Sequence, residues 1–494
     1  MSNELEFHLD VRQGKHLFTA RTELHASLEV SAEGLGAGGP AEAPAARWAE
    51  VLIIDCSGSM GEPAHARPDA RGARPKIADA RRATAAAIDV LPDGVLFAVV
   101  EGTDGARVVY PHEPRREPRH KPRMAVATPE SRAQAKAAVA RLVDGGSTHI
   151  GTWLTQALDL FVAHPADLRH AILLTDGQNM ESPGALEQAL KRCQGQFTCD
   201  ARGIGEDWDA DQLLRITSVL RGAADAVLDD SDLEAEFRAM TRTALRKVTA
   251  DLLIRVTTTP PAKLRFITQV HPTMSDLTEH AVALSDRVTE VSTGPWGDEV
   301  REYQVGFEVT SADAPLFEDL RVARIDLVVG EETRADPGLV LVHWTDENVP
   351  TWVDPRSTHY TAYVDLSQAV DAGLHAYGQG DETAAKAAWG RAVKLAGETG
   401  DRKVLDQLQR FVEIVDLAAG EVSLRTDISR YDVQVVKVAV THTSRYPGDT
   451  DPPSPAPSPP QEDTVSPWTC ECGRISPGTA LFCTQCGRRP AQSA

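Results

Sequence analysis

Asp55, Ser57 and Ser59 occupy alternate positions of the pentapeptide Asp55-Cys56-Ser57-Gly58-Ser59. One carboxylate and two hydroxyls from a single tight loop are hard oxygen donors, suited to Mg2+ or a similar ion and poorly suited to zinc or copper. Gly58 lets the backbone turn sharply so that the alternate side chains converge. Cys56, between two donors, reads as a packing residue. Two more oxygen donors follow later in the chain: Thr148 in Gly145-Gly146-Ser147-Thr148, and Asp176 in Thr175-Asp176-Gly177. Ser147 offers the same hydroxyl one residue before the threonine, so that register stays open by one. A second chemistry is written at the other end. Trp468-Thr469-Cys470-Glu471-Cys472 and Cys483-Thr484-Gln485-Cys486-Gly487 place four thiols in a tail with almost no core of its own, a pattern best explained by structural Zn2+.

The elements around the oxygen donors follow one grammar. Val51–Ile54, Val95–Val100 and Ala171–Leu174 are short, wholly apolar runs, as expected of strands buried on both faces of a parallel sheet. Arg107–Tyr110, Cys199–Ile204 and Ala226–Leu228 read as further strands. Helical patterns cover Lys76–Leu91, Glu130–Leu142, Ile150–Val162, Asp211–Leu220 and Asp232–Leu245. Strands alternating with helices predict a doubly wound, Rossmann-like α/β domain over 48–248. Asp55 and Asp176 each end a buried strand, the edge at which such sheets place their ligands.

Outside that domain the pattern changes. Phe18, Ala20, Thr22, Leu24, Ala26, Leu28 and Val30 alternate as one strand face within an N-terminal strand-and-linker region, 1–47. Residues 249–360 hold several strand-like runs among Pro, Gly and Asp turns, which predicts a β-sandwich-like domain that the N-terminal strand is free to join. Region 361–445 reads as a helical hairpin capping the sandwich; its first two helices resemble a single tetratricopeptide unit, and one such unit cannot bury its own stacking faces. Val433–Val440 fits either a strand or a helix. A Pro/Ser/Asp/Thr-rich linker, 446–467, then leads to the small zinc-binding tail, 468–490.

A hydrophobic share of 42% and a charged share of 25% place the chain among soluble globular proteins. No basic segment followed by an apolar run opens it, and no run of about 18 apolar residues occurs, so neither secretion nor a membrane is expected. Seven cysteines, four of them packed into the tail, point to a reducing compartment rather than a disulfide framework, and hence to a cytoplasmic protein. Cys193 and Cys199 read as buried thiols. A net charge of -21 repels polyanions, which disfavours nucleic acid as a general partner. The one dense basic stretch, Arg115–Arg123, carries prolines and reads as an exposed loop.

The oxygen donors, in this order and on these elements, resemble the metal-ion-dependent adhesion site of the von Willebrand factor A family. Its pattern is Asp-x-Ser-x-Ser, a threonine after a glycine-rich loop, and an Asp-Gly after a later strand; Asp55, Ser57, Ser59, Thr148 and Asp176 match it throughout. The resemblance implies that Ser57, Ser59 and Thr148 touch Mg2+ (or Mn2+), while Asp55 and Asp176 act largely through water or from behind the hydroxyls. It also implies an open metal position taken by a partner's Asp or Glu, so that the domain serves as a protein-binding scaffold in intracellular signalling or complex assembly. Proteins of this kind are often linked with kinase, phosphatase and phosphothreonine-reading modules, for which Thr464 in the linker would be an acceptor. The tail resembles a short zinc ribbon or the Ran-binding-protein class of zinc finger, with Cys470, Cys472, Cys483 and Cys486 as ligands. It departs by C-x-C in place of C-x-x-C and by Ser476 in place of an asparagine, so that class's RNA or ubiquitin binding does not carry over.

Two other readings fit parts of the chain. The zinc tail would make the chain a nucleic-acid-associated regulatory factor. A faint likeness to haloacid-dehalogenase-type phosphatases needs a general acid two residues after Asp55, where Ser57 stands and cannot serve. No nucleophile elbow or phosphate-loop lysine motif occurs, so no enzyme is expected.

Overall fold

The structure is a computed structural model that describes residues 5–34, 47–63, 74–112, 123–228, 232–260, 262–312, 314–346 and 355–446, together with 468–469 and 475–476. Two units divide the chain at Ser444.

The N-terminal segment makes three strands: β1 (Glu6–Gln13), β2 (His16–Phe18) and β3 (Glu23–Glu33). In β3 the residues Leu24, Ala26, Leu28, Val30 and Ala32 are all buried, the period-2 face that the sequence shows. The expected single strand from Phe18 is instead broken, because a turn at 19–22 separates β2 from β3.

The central domain runs through β4 (Trp48–Asp55), α1 (Lys76–Asp89), β5 (Leu96–Gly102), β6 (Ala106–Tyr110), β7 (Ala125–Val126), α2 (Pro129–Val139), α3 (Ile150–Ala163), β8 (Leu168–Thr175), α4 (Pro183–Cys193), β9 (Thr198–Gly203), α5 (Ala210–Leu220), β10 (Ala224–Ala226) and α6 (Leu233–Leu245). Its sheet has the order β10-β9-β8-β4-β5-β6, with β7 also on β5. The first five strands are parallel, and β6 and β7 are antiparallel to β5. One face packs on α3, α4 and α5 and the other on α1, α2 and α6. All eight residues of β4 are buried, so the strand holds the middle of the sheet and its end cannot shift without opening both cores. Each fully buried Val, Leu or Ile in these cores contributes about 1.5–3 kcal/mol.

Tryptophans close two of the strand ends. A Cβ on Gly102, at the end of β5, would run into the ring of Trp153, and one on Gly203, at the end of β9, into the ring of Trp208. Trp153 is fully buried and its Nε1–H donates to the Thr103 carbonyl at 2.7 Å. Gly102→Ala is expected to lower stability by about 1–3 kcal/mol, the usual cost of overpacking. Urea denaturation of the two proteins measures it, and an unchanged midpoint would refute the packing account.

Beyond the central domain come β11 (Leu253–Thr258), β12 (Ala262–His271), β13 (Ser275–Asp276), β14 (Ala281–Ser285), β15 (Val288–Ser292), β16 (Glu299–Val309), β17 (Asp319–Val329), β18 (Glu332–Thr333) and β19 (Gly338–Thr345). They form two sheets, ordered β1-β3-β16-β12-β13 and β14-β15-β11-β17-β19-β2. Side chains from both sheets meet in one core, with Leu28, Val30, Ile254, Val305, Ile325 and Trp344 almost wholly buried. The N-terminal strands are therefore integral to both sheets, and the central domain is inserted between β3 and β11.

Helices α7 (Pro355–Gly378), α8 (Glu382–Thr399) and α9 (Arg402–Leu408) follow, then a hairpin of β20 (Val412–Asp416) and β21 (Glu421–Leu424), then α10 (Arg430–Ala439). Asp381 and Asp401 cap α8 and α9 by accepting from the Ala384 and Val404 amides. Trp389 is buried at the centre of this group and stacks on Phe411. The helical region thus starts six residues before the expected boundary at 361 and contains a hairpin that helical periodicity does not show. Val433–Val440 falls almost wholly within α10, whose Tyr431 hydroxyl donates to the Val227 carbonyl and whose Gln434 Oε1 accepts from the Ala210 amide. In the second unit Trp468–Thr469 pairs antiparallel with Ile475–Ser476. Among the described residues no helix is long and apolar enough to cross a membrane.

Candidate metal centre

The β4 ladder continues one residue past its end, where the Cys56 amide donates to the Gly102 carbonyl at 2.8 Å. The chain then turns through a short 3-10 segment, Gly58–Gly61. Its turn is stitched to the glycine loop before α3: the Gly145 amide donates to the Cys56 carbonyl at 2.8 Å, and the Gly58 amide to the Gly146 carbonyl at 3.1 Å. The third loop, after β8, joins through the Met180 amide, which donates to the Thr148 carbonyl at 2.8 Å. Two loops that follow strand ends and one that leads into α3 are thereby held as one surface.

Asp55 is fully buried, and both of its oxygens are already engaged. Oδ1 accepts from the Ser57 amide at 2.8 Å and Oδ2 from the Thr175 hydroxyl at 2.6 Å. Burial, and then the neighbouring Asp176 charge, push its pKa up to about 6 against the pull of the Thr175 and Ser57 hydrogen bonds. Asp176, also fully buried, turns Oδ1 toward the serines: Ser59 Oγ donates at 2.8 Å and Ser57 Oγ lies at 3.5 Å, with 3.1 Å between the two hydroxyls. Its other oxygen, Oδ2, is 2.7 Å from the Lys76 ammonium, close enough for an ion pair but not aligned as a hydrogen bond. Thr148 is 5% exposed, and its Oγ1 would stand 2.8 Å from a Cβ on residue 177; only glycine lets the two loops approach this closely.

Asp55, Ser57, Ser59, Thr148 and Asp176 are thus brought to one place by the ends of β4 and β8 and the start of α3. Their donors are oxygens only, three hydroxyls and two carboxylates, which fit a hard divalent cation and not a thiolate- or imidazole-seeking one. Among the described residues no three His, Cys, Asp or Glu side chains converge on a point, so any metal held here depends on the hydroxyls. Cys56 is buried beneath the loop, its thiol pushed up first by burial and then by the Glu101 and Asp55 charges, in keeping with packing.

Four residues that sequence reasoning did not assign complete the arrangement. Thr175 locks Asp55, and Lys76 pairs with Asp176. Asn179 accepts from the Ile150 amide at 2.9 Å, and Glu181 accepts from the Gly151 and Thr152 amides at 2.8 and 3.0 Å. These last two satisfy the bare N-terminal amides of α3 and fix Thr148 just ahead of it. Thr175 and Lys76 stand beside recognised features, but nothing in their spacing reveals a partner 100 or more residues away. The four tail cysteines Cys470, Cys472, Cys483 and Cys486, together with Thr464 and the core of the basic stretch, lie outside the described residues.

Comparison with known proteins agrees with this fold. The family model described as von Willebrand factor type A domain matches residues 70–226, which include Thr148 and Asp176 but not the Asp55–Ser59 loop. The solved structure of a von Willebrand factor type A protein from Catenulispora acidiphila is 34% identical, with a TM-score of 0.78, over 90% of this chain and 98% of that one. The ArnB paralog VWA2 from Sulfolobus acidocaldarius shares the fold at 12% identity and a TM-score of 0.50, over 88% of this chain and 98% of its own. No curated protein sequence matched. Near-complete coverage of a relative at that identity establishes that the chain belongs to the von Willebrand factor type A family.

Proposed function

We propose that the chain is a metal-dependent protein-binding scaffold whose oxygen cluster grips a carboxylate of an acidic partner, without catalysis. The observation that carries this reading is the convergence of the Ser57 and Ser59 hydroxyls on one oxygen of Asp176, while both oxygens of Asp55 are tied down by Ser57 and Thr175. Ser57, Ser59 and Thr148 would hold the cation, with Asp55 and Asp176 supplying charge behind them. Bound there, Mg2+ or Mn2+ would supply an electrophilic position for an external anionic oxygen, because such ions take few protein oxygens and exchange their waters. The chain's own part is to keep the hydroxyls in place and the carboxylates dry.

The reading extends to a cytoplasmic signalling or assembly role, to Zn2+ on Cys470, Cys472, Cys483 and Cys486, and to Thr464 as a site read by a phosphothreonine-binding module. These rest on the residue patterns alone. The test is a pull-down from cell extract with Mg2+ and with chelator, using Asp55→Ala combined with Ser57→Ala as control. Partners are expected to be retained only by the unaltered chain with Mg2+. An identical partner set in all arms would sink the proposal.

A further inference from the structure

Lys76 is the first residue of α1 and is only 2% exposed. Two features of that position oppose an ammonium group. Burial strips its hydration, and the first turn of a helix carries the positive end of the helix dipole. A lysine is stable there only if a carboxylate compensates it, and Asp176 Oδ2 lies 2.7 Å away, with the two side chains 3% and 0% exposed. The remaining oxygen of Asp176 faces the two serine hydroxyls, so one carboxylate is shared between a fixed ammonium and the face of the cluster that would hold a metal.

We propose that Lys76 is the resident counter-cation of the oxygen cluster. It holds Asp176 in place without a divalent ion, and it lowers the affinity with which one binds. The inference rests on the metal reading above. Two carboxylates and one ammonium sum to a charge of −1, where the carboxylates alone would carry −2. An incoming divalent cation therefore meets half the attraction, plus repulsion from an ammonium that the helix start keeps close. The same ammonium leaves the loaded site net positive, which suits the capture of an external carboxylate.

The experiment compares the full chain with Lys76→Met, a side chain of similar length without charge, both stripped of metal at neutral pH. Mg2+ is titrated calorimetrically and thermal unfolding is followed with and without it. Lys76→Met is expected to bind Mg2+ about tenfold more tightly or better, as removal of a nearby like charge in a buried site requires. Without metal it is expected to melt several degrees lower, and to recover more on adding Mg2+ than the unaltered chain does. Equal Mg2+ affinity in the two proteins overturns the role of Lys76 and leaves the metal reading standing. No Mg2+ binding by either overturns both. Should Lys76→Met not fold alone, Lys76→Met combined with Asp176→Asn removes both charges. Recovery of the fold in that double variant supports the pairing, and its failure to fold assigns Lys76 to packing and overturns the proposal.

Discussion

Replacing His170 with leucine is expected to destabilise the protein by about 3–5 kcal/mol, the cost of leaving a buried charge without its partner. Glu50 lies inside the all-buried strand β4 and His170 opposite it on β8. His170 Nδ1 is 2.9 Å from one Glu50 oxygen and 3.0 Å from the other, and its Nε2 is 3.2 Å from Asp200 Oδ2 on β9. Glu50 is fully buried and His170 4% exposed, with the Trp48 ring stacked over the imidazole. Burial works against the charged imidazole, but the Glu50 charge and the hydrogen bonds to Asp200 and Glu50 outweigh it and push its pKa up to about 10. Asp200 feels burial as well, yet the His170 hydrogen bond and charge, Arg202 and the Ala223 amide hold it down to about 2.

His170→Leu strands the Glu50 carboxylate in an apolar core, whereas His170→Leu with Glu50→Leu removes that carboxylate as well and leaves Asp200 to Arg202 and the Ala223 amide. The double substitution is expected to recover most of the loss, because apolar pairs often replace buried ion pairs at little cost. Urea unfolding of the three proteins decides the matter; equal losses in single and double variants would show that shape, not charge, is what His170 provides. The pH dependence has a definite sign. A histidine raised from its ordinary 6.5 to about 10 gives stability that is fully present below 6.5 and is lost as pH rises toward 10. Unfolding free energy should therefore fall across that window in the unaltered chain, with a shallower slope in the double variant. Asp200 adds stability that is present above 3.8 and lost as pH falls toward 2.

This network shows where sequence reading stops. The apolar runs at Val51–Ile54 and Ala171–Leu174 mark buried strands, because a strand covered on both faces has no place for unpaired polar groups. The helices alternating with them show their own periodicity, and the α/β order follows. The donor set was legible for the same reason: hydroxyls and carboxylates at strand ends stand out from their surroundings. Partnerships across the fold leave no such local mark. Glu50 finds His170 across 120 residues, Thr175 finds Asp55 across 120, and Lys76 finds Asp176, each through strand register or helix placement that no short window contains. The N-terminal strands posed a related problem. Their alternation gives one buried face, but the division of β1 and β3 to one sheet and β2 to the other is decided by the turn at 19–22 and by the partners β16 and β19. The hairpin of β20 and β21 sits between helices, where its short strands offer little pattern of their own.

The most direct test of the central reading is whether the oxygen cluster binds a divalent cation through its hydroxyls. Metal-stripped full-length chain should be titrated with Mg2+ by calorimetry, beside Ser57→Ala combined with Ser59→Ala and, separately, Thr148→Ala. The unaltered chain is expected to show saturable binding, the double serine variant to lose it beyond measurement, and Thr148→Ala to weaken it at least about tenfold, as fits a cation that takes few protein ligands. Both variants should remain folded, the double serine variant losing about 1–3 kcal/mol because the buried Asp176 Oδ1 gives up its two hydroxyl partners. Mg2+ binding that survives all three substitutions unchanged, or its absence from the unaltered chain, would contradict the account.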